Sequence, residues 1–191
     1  SVVDKTELAN MKGLMGDFNG AFELLKEAFN LEPKSILIYD TIEELFEFNS
    51  EGLIEALESK ESNDAFYKFM LIKAYSQSSN EEHTNKAKEL YSELRKQEKD
   101  NYILDLIGYS IYQDINYLEN AYKNSEDEED YVEAYVKALY NYKTDNIKEA
   151  KNEAYRSITL NENYDKVYSL LADIMNKETN NKASEVYLRE A

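Results

Sequence analysis

His83 is the one histidine of this 191-residue chain, and cysteine is absent. Those two counts bound its metal and nucleophile chemistry. A zinc site draws on several Cys and His ligands, and in Glu81-Glu82-His83 only carboxylates could complete one. His83 therefore reads as an exposed polar residue near a helix start. A second chemically suggestive run is Glu126-Asp127-Glu128-Glu129-Asp130. Calcium loops of the EF-hand kind need alternating ligands and a glycine at the sharp turn, and neither is present. Placed before a helix beginning near Tyr131, these carboxylates suit the positive end of the helix dipole; a docking spot for a basic partner is the intermediate option. Five scattered glycines and one His do not build a phosphate loop, a nucleophile elbow or a His-containing triad. The carboxylates that a two-carboxylate hydrolase would require are spread along solvent-type positions. The chain reads as a non-enzyme with no metal or cofactor.

Tyrosine is the unusual residue, at 17 copies. It offers a broad contact face, one hydroxyl and little rotamer entropy to lose, and it is enriched where proteins bind proteins. Many copies must nevertheless be packing, because Tyr75, Tyr91, Tyr155 and Tyr187 fall on helical stripes. The net charge is −17, from 39 acidic and 22 basic residues. A field of that sign repels phosphate backbones and anionic lipid heads. That disfavours nucleic acid and membrane surfaces and favours basic protein segments, although the same acidity also keeps an elongated protein in solution.

The elements that carry these residues are helices. Apolar residues make up 42% of the chain, with five glycines and one proline, and no run approaches the roughly 18 apolar residues of a membrane span. In Gly16-Asp17-Phe18-Asn19-Gly20-Ala21-Phe22-Glu23-Leu24-Leu25-Lys26-Glu27-Ala28-Phe29, Phe22, Leu25, Ala28 and Phe29 form one apolar stripe at helical spacing. Pro33 then stops the helix, since it lacks an N–H and disfavours α geometry at Glu32.

Weaker copies follow at intervals of about 32 residues. A small or aliphatic residue recurs at Ala21, Leu53, Ala87, Leu118, Ala150 and Ala183, with Leu25, Leu57, Tyr91, Tyr122, Ala154 and Tyr187 four positions later on the same face. Each pair follows another apolar helix, with stripes such as Leu8/Met11/Met15, Ile38/Ile42/Leu45, Phe66/Met70/Ala74, Ile103/Leu106/Ser110, Ala134/Ala138/Tyr142 and Val167/Leu171/Ile174. Turns are placed at Gly16-Asp17, Asn49-Ser50, Ser79-Asn80, Gln113-Asp114, Thr144-Asp145 and Asn180-Asn181, where Asp, Asn and Ser can cap the next helix. The chain is thus expected to be all-α and a single array of about six antiparallel hairpins, at 3–33, 36–61, 64–98, 101–124, 130–161 and 164–191. Short polar connections such as Pro33-Lys34-Ser35, Ser62-Asn63-Asp64 and Asn161-Glu162-Asn163 join them. No hairpin is large enough to bury its own stripe, so neighbours must stack.

The run Gly16-Asp17-Phe18 with Ala21, Leu25, Ala28 and Pro33 resembles the second half of a tetratricopeptide repeat (TPR). Leu8-Ala9 and Ile107-Gly108 are similar to the family's Leu-Gly pair, and Asp145, Ala150, Ala154, Ser157 and Leu160 mark a fifth unit. The first-helix Trp is missing throughout, and only one copy keeps the Pro. The resemblance implies a right-handed α-α superhelix whose concave wall, lined by the first helices, receives a peptide or a partner helix. Carried onto this chain, it places Thr6, Asn10, Asp40, Glu44, Phe69, Leu139, Ser169 and Asp173 near that wall. It also places there a candidate partner site of Lys73, Asp105, Tyr109, Tyr112, Tyr135 and Tyr142. The family's carboxylate-gripping cluster of Lys, Arg and Asn is not reproduced, because Asn10 and Lys73 stand in different repeats.

The expected function is an interaction scaffold for a basic or apolar protein segment. The alternative is a structural spacer or self-association segment of a larger protein. Ser1 in place of Met and the helical pattern at Arg189-Glu190-Ala191 fit a fragment or mature form. Compartment is left open, with the cytoplasm slightly favoured and a removed export signal or anchor compatible. Frequent Asn, Lys, Ile and Tyr fit an AT-rich, bacterial genome.

Overall fold

The computed structural model describes residues 1–60, 64–97, 101–127 and 129–190, with Gln97 and residues 182–190 described by backbone alone. Among the described residues every regular element is a helix: α1 (Val2–Leu14), α2 (Phe18–Leu31), α3 (Ile36–Glu58), α4 (Ala65–Gln77), α5 (Glu81–Gln97), α6 (Tyr102–Tyr112), α7 (Ile115–Lys123), α8 (Tyr131–Lys143), α9 (Ile147–Leu160) and α10 (Asp165–Glu190). Their starts follow from local chemistry. Asp17 accepts the Gly20 N–H at 2.9 Å, Asn101 those of Ile103 and Leu104, Asp114 that of Asn116, and Asp130 those of Val132 and Glu133. Each cap satisfies donors that the helix cannot pair for itself, an effect of about 1 kcal/mol. Asp130 thereby takes the capping role expected of the acidic run; Glu128 lies outside the described residues. Gly16 (φ +86°) makes the first turn in the left-handed region.

Two compact units divide the chain, Ser1–Gln113 and Asp114–Ala191. In the first, α1 packs on α2, both meet α3, and α3 meets α4. Helix α4 in turn packs on α5, and α6 rests on α4 and α5. Serial contact of this kind is what hairpins unable to shield their own stripes require. The recurring small residues sit at these crossings: Ala21, Ala28 and Ala87 are fully buried, as are Leu25, Leu53 and Leu57. Gly13 is needed where α1 crosses α3, because a Cβ there would stand 2.4 Å from the Leu45 side chain. Aromatic rings fill the space between α2, α3 and α4, with Phe29 against Phe66 and Phe69, and Tyr39 edge-on to Phe69 at 5.9 Å. The Tyr39 hydroxyl donates to the Pro33 carbonyl at 3.1 Å, so the residue that stops α2 also anchors α3.

In the second unit α7 packs on α8, α8 on α9, and α10 on both α8 and α9. Ala134, Ala138, Ala150, Ala154 and Ser157 are fully buried there, and the Ser157 hydroxyl donates to the Tyr131 carbonyl at 2.7 Å. Glu133 is also buried, at 8% exposed, with its carboxylate accepting the Asp127 N–H at 2.6 Å. Burial, with Asp130 and Asp127 adding repulsion, pushes its carboxyl above the usual range. The sign follows from linkage: a raised native pKa makes the ionised form costly in the folded state. That cost is present at neutral pH and disappears below the unfolded carboxyl pKa of about 4.3. Glu133→Gln should therefore raise the unfolding midpoint at pH 7, with the gain shrinking to nothing near pH 4 in parallel thermal melts.

Several sequence expectations are corrected. Leu8, Met11 and Met15 do not form the inner stripe of α1; they are 45%, 61% and 84% exposed, and Thr6, Ala9 and Gly13 face inward. Small side chains there let α2 and α3 approach more closely than Leu and Met would allow. The turn expected at Asn49-Ser50 is a single non-helical residue, Asn49 (φ −154°, ψ 81°), whose side chain accepts the Gly52 N–H at 3.0 Å. No turn occurs at Asn180-Asn181, since α10 runs helically from Asp165 to Glu190; no Gly or Pro stands there to break it. Tyr122 is 36% exposed while its neighbour Ala121 is fully buried, and Tyr155 is 47% exposed. In the sixth copy, the side chains of Ala183 and Tyr187 lie outside the described residues.

Candidate protein-interaction surface

In the first unit the leading helices of the hairpins are α1, the 36–48 limb of α3, α4 and α6. Polar rungs join the first three of them. The Asn10 amide donates to Glu44 at 2.6 Å, and the Lys73 ammonium pairs with Glu43 at 2.6 Å. The first rung spans the crossing where Gly13 lets α1 approach α3 closely. Lys73 is only 12% exposed, so its charge neutralises Glu43 and is not on offer to a ligand. Glu44 and Asp40 lie one turn apart on the same limb of α3.

Asp105 departs most from expectation. Its side chain is 0% exposed and lies 2.7 Å from the Arg95 guanidinium of α5. A carboxylate so enclosed holds α6 to α5 and cannot meet a partner. Tyr112 turns the same way: it lies edge-on to Tyr91 at 5.7 Å, beneath the Lys88 ammonium at 5.8 Å. Tyr109, three residues earlier on α6, is half-buried, and no hydrogen bond or ring contact engages its side chain within the described residues.

The second unit carries the other two tyrosines. Tyr135 packs edge-on against Tyr164 at 5.4 Å, and Tyr131 meets the same ring at 5.1 Å. Tyr142 lies under two ammonium groups, Lys143 at 5.6 Å and Lys177 at 5.1 Å, and Lys177 also pairs with Asp145 at 2.8 Å. Tyr142 therefore already holds cations against its face, as an aromatic contact for a basic segment would. Of the six expected site residues, Lys73, Asp105, Tyr109 and Tyr112 belong to the first unit, and Tyr135 and Tyr142 to the second.

His83 is not the exposed polar residue that its neighbours implied. It stacks on Tyr75 at 5.0 Å, and its Nδ1 is 2.8 Å from the Ser78 hydroxyl. The Tyr75 hydroxyl donates to Glu58, which holds that carboxyl below its usual range; burial, joined by the same contact, pushes the Tyr75 phenol up. Around them lies a cleft of about 390 Å³, walled by Glu51, Glu55 and Glu58 on one side and Ser78, Asn80 and His83 on the other. The i, i+4, i+7 spacing of the three glutamates, with Phe46 and Ile54 beside them, was the sequence signal for this wall. Among the described residues no helix is long and apolar enough to cross a membrane.

Helices in serial contact within each unit, with buried small residues on several of them, make this an all-α chain of the α-α superhelix class. The fold is similar to that of TTC0263, a thermophilic TPR protein in Thermus thermophilus, with a TM-score of 0.53 over 92% of this chain and 99% of that one. Identity is 12%, so the likeness is one of fold. No family model and no curated protein matches the sequence.

Proposed function

We propose that this chain is a protein–protein interaction scaffold that holds a basic or apolar segment of another protein against the leading helices of its hairpins. The fold supports the general role, since arrays of this class present extended binding surfaces. One observation carries the more specific reading. Tyr109 offers a half-buried ring and a hydroxyl that nothing among the described residues engages, in a unit whose leading helices also carry Asp40 and Glu44. An aromatic ring on an acidic unit fits a lysine or arginine side chain, whose stem packs on the ring while its head keeps the favourable field of the carboxylates.

The test uses a peptide array in which lysine- and arginine-containing segments are paired with their glutamate-substituted counterparts. Basic members should bind, and Tyr109→Ala should weaken the best of them by tenfold or more, about 1.4 kcal/mol, with the helical circular dichroism unchanged. Tyr109→Phe separates ring from hydroxyl. Equal capture by wild type and Tyr109→Ala would remove this surface from consideration. A spacer, by contrast, would show no preference between basic and acidic members.

A further inference from the structure

One-electron oxidation of this chain falls on its tyrosines. Cysteine and tryptophan are absent, the 4 methionines answer oxidants by taking up oxygen, and 17 tyrosines remain. Which of these can react with each other depends on how their rings meet.

Tyr122, in the last turn of α7, and Tyr140 of α8 have ring centroids 4.7 Å apart at an interplanar angle of 35°. Tyr122 is 36% exposed and Tyr140 is half-buried, so an oxidant in solution can reach the pair. Neither hydroxyl is held by a hydrogen bond among the described residues. Tyr91–Tyr112, Tyr131–Tyr164 and Tyr135–Tyr164 are arranged differently. Their centroids are 5.1–5.7 Å apart and they meet edge-on at 65–88°, a preferred packing arrangement of aromatic rings. Each of these pairs also contains a buried ring, Tyr91 or Tyr164.

The angle matters because two tyrosyl radicals couple through their ortho carbons, whose p orbitals stand along the ring normals. Rings inclined by 35° bring those lobes towards one another, whereas an edge-on ring turns its own aside. Coupling also needs some give, since a carbon–carbon bond is much shorter than a ring contact. Helix α7 is nine residues long and ends one residue after Tyr122. A helix that short is marginal by itself, so its last turn can follow the ring inward.

We infer that Tyr122 and Tyr140 are a site of oxidative modification, where a haem peroxidase supplied with hydrogen peroxide couples the two rings into a dityrosine. Each phenol gives up one electron and one proton, and the peroxide takes up both pairs as two waters. The two radicals form one carbon–carbon bond. Each ortho hydrogen then moves to its own ring's oxygen, which restores both phenols. The product staples α7 to α8 and closes a covalent loop around the acidic run from Glu126 to Asp130. It lies within the second unit, so it does not depend on what the Tyr109 surface binds.

Dilute protein treated with peroxidase and an equimolar amount of hydrogen peroxide should gain dityrosine fluorescence while still running on denaturing gels as one chain of 22.3 kDa. Peptide mapping should join residues 122 and 140 with the loss of two hydrogen atoms. Tyr122→Phe and Tyr140→Phe keep a ring in place, and each should lose this product, whereas Tyr142→Phe should retain it. The stapled chain should also show a higher unfolding midpoint, because the cross-link restricts the unfolded state. A wild type that forms no dityrosine, or forms it through Tyr131, Tyr135 or Tyr164, overturns the inference. So does coupling chiefly between chains through the exposed Tyr155 or Tyr168, or an unchanged yield in Tyr122→Phe.

Discussion

Replacing Arg95 by alanine is expected to lower the unfolding free energy by about 3 kcal/mol or more, because it leaves a fully enclosed carboxylate without its guanidinium. Asp105 is 0% exposed, and Arg95 approaches it to 2.7 Å from the neighbouring helix. In water such a pair is worth little, since the separated ions are well solvated. Inside the fold the comparison is different: Asp105 is fully enclosed, and the guanidinium is a cation that offsets the loss of its hydration. Urea denaturation of Arg95→Ala, Asp105→Leu and the double variant separates the two effects. The double variant should recover much of the loss, because it removes the buried charge. A cost under about 1 kcal/mol for Arg95→Ala would mean that the pair behaves as a surface bridge, and the interior placement of Asp105 would fall with it.

The second large effect concerns a residue notable for being small. Ala21 is fully buried in α2, and Ala21→Trp should destabilise the first unit by roughly 1–3 kcal/mol or more through overpacking. The new ring has no vacant volume to enter. Phe22 and Leu25 on the same helix are themselves at zero exposure, and Phe22 is fixed edge-on to Tyr67 at 6.5 Å. Glu23→Trp, on the exposed side of α2, is the control and should melt close to wild type. Ala150→Trp makes the same demand of the second unit, where Ala150 is fully buried in α9. If the Ala21 and Glu23 variants melt alike, small residues are not what sets the helix spacing.

These two cases also show which parts of the molecule can be read from its residues. Ala21, Leu25, Leu53 and Ala150 declared their buried faces because their spacing follows the helical period. Asp17, Asp114 and Asp130 declared helix starts because capping is an affair of three or four neighbouring residues. The face of α1 was misread for a related reason. Leu8, Met11 and Met15 keep helical spacing as well as Thr6, Ala9 and Gly13 do, and hydrophobicity favoured the larger set. Only the crossing of α3 over Gly13 decides between them. Asp105 was misplaced because its partner is on another helix, and nothing within α6 signals that a guanidinium will arrive from α5. Lys73 and Tyr112 were similarly drawn into contacts, with Glu43 and Tyr91, that depend on neighbouring helices. Tyr109 stays half-exposed because no described neighbour bonds or stacks on it.

The break in α3 limits how this chain can change length. One residue, Asn49, turns the corner between the two limbs, and helix resumes at once behind its side-chain cap. An α-helix advances about 100° per residue, so an amino acid inserted inside the second limb, between Gly52 and Leu53, would rotate Leu53, Ile54 and Leu57 off the side they bury relative to the cap at Asn49. An insertion at Asn49 itself lengthens only the non-helical corner, so tolerated length changes in this stretch should cluster at that residue.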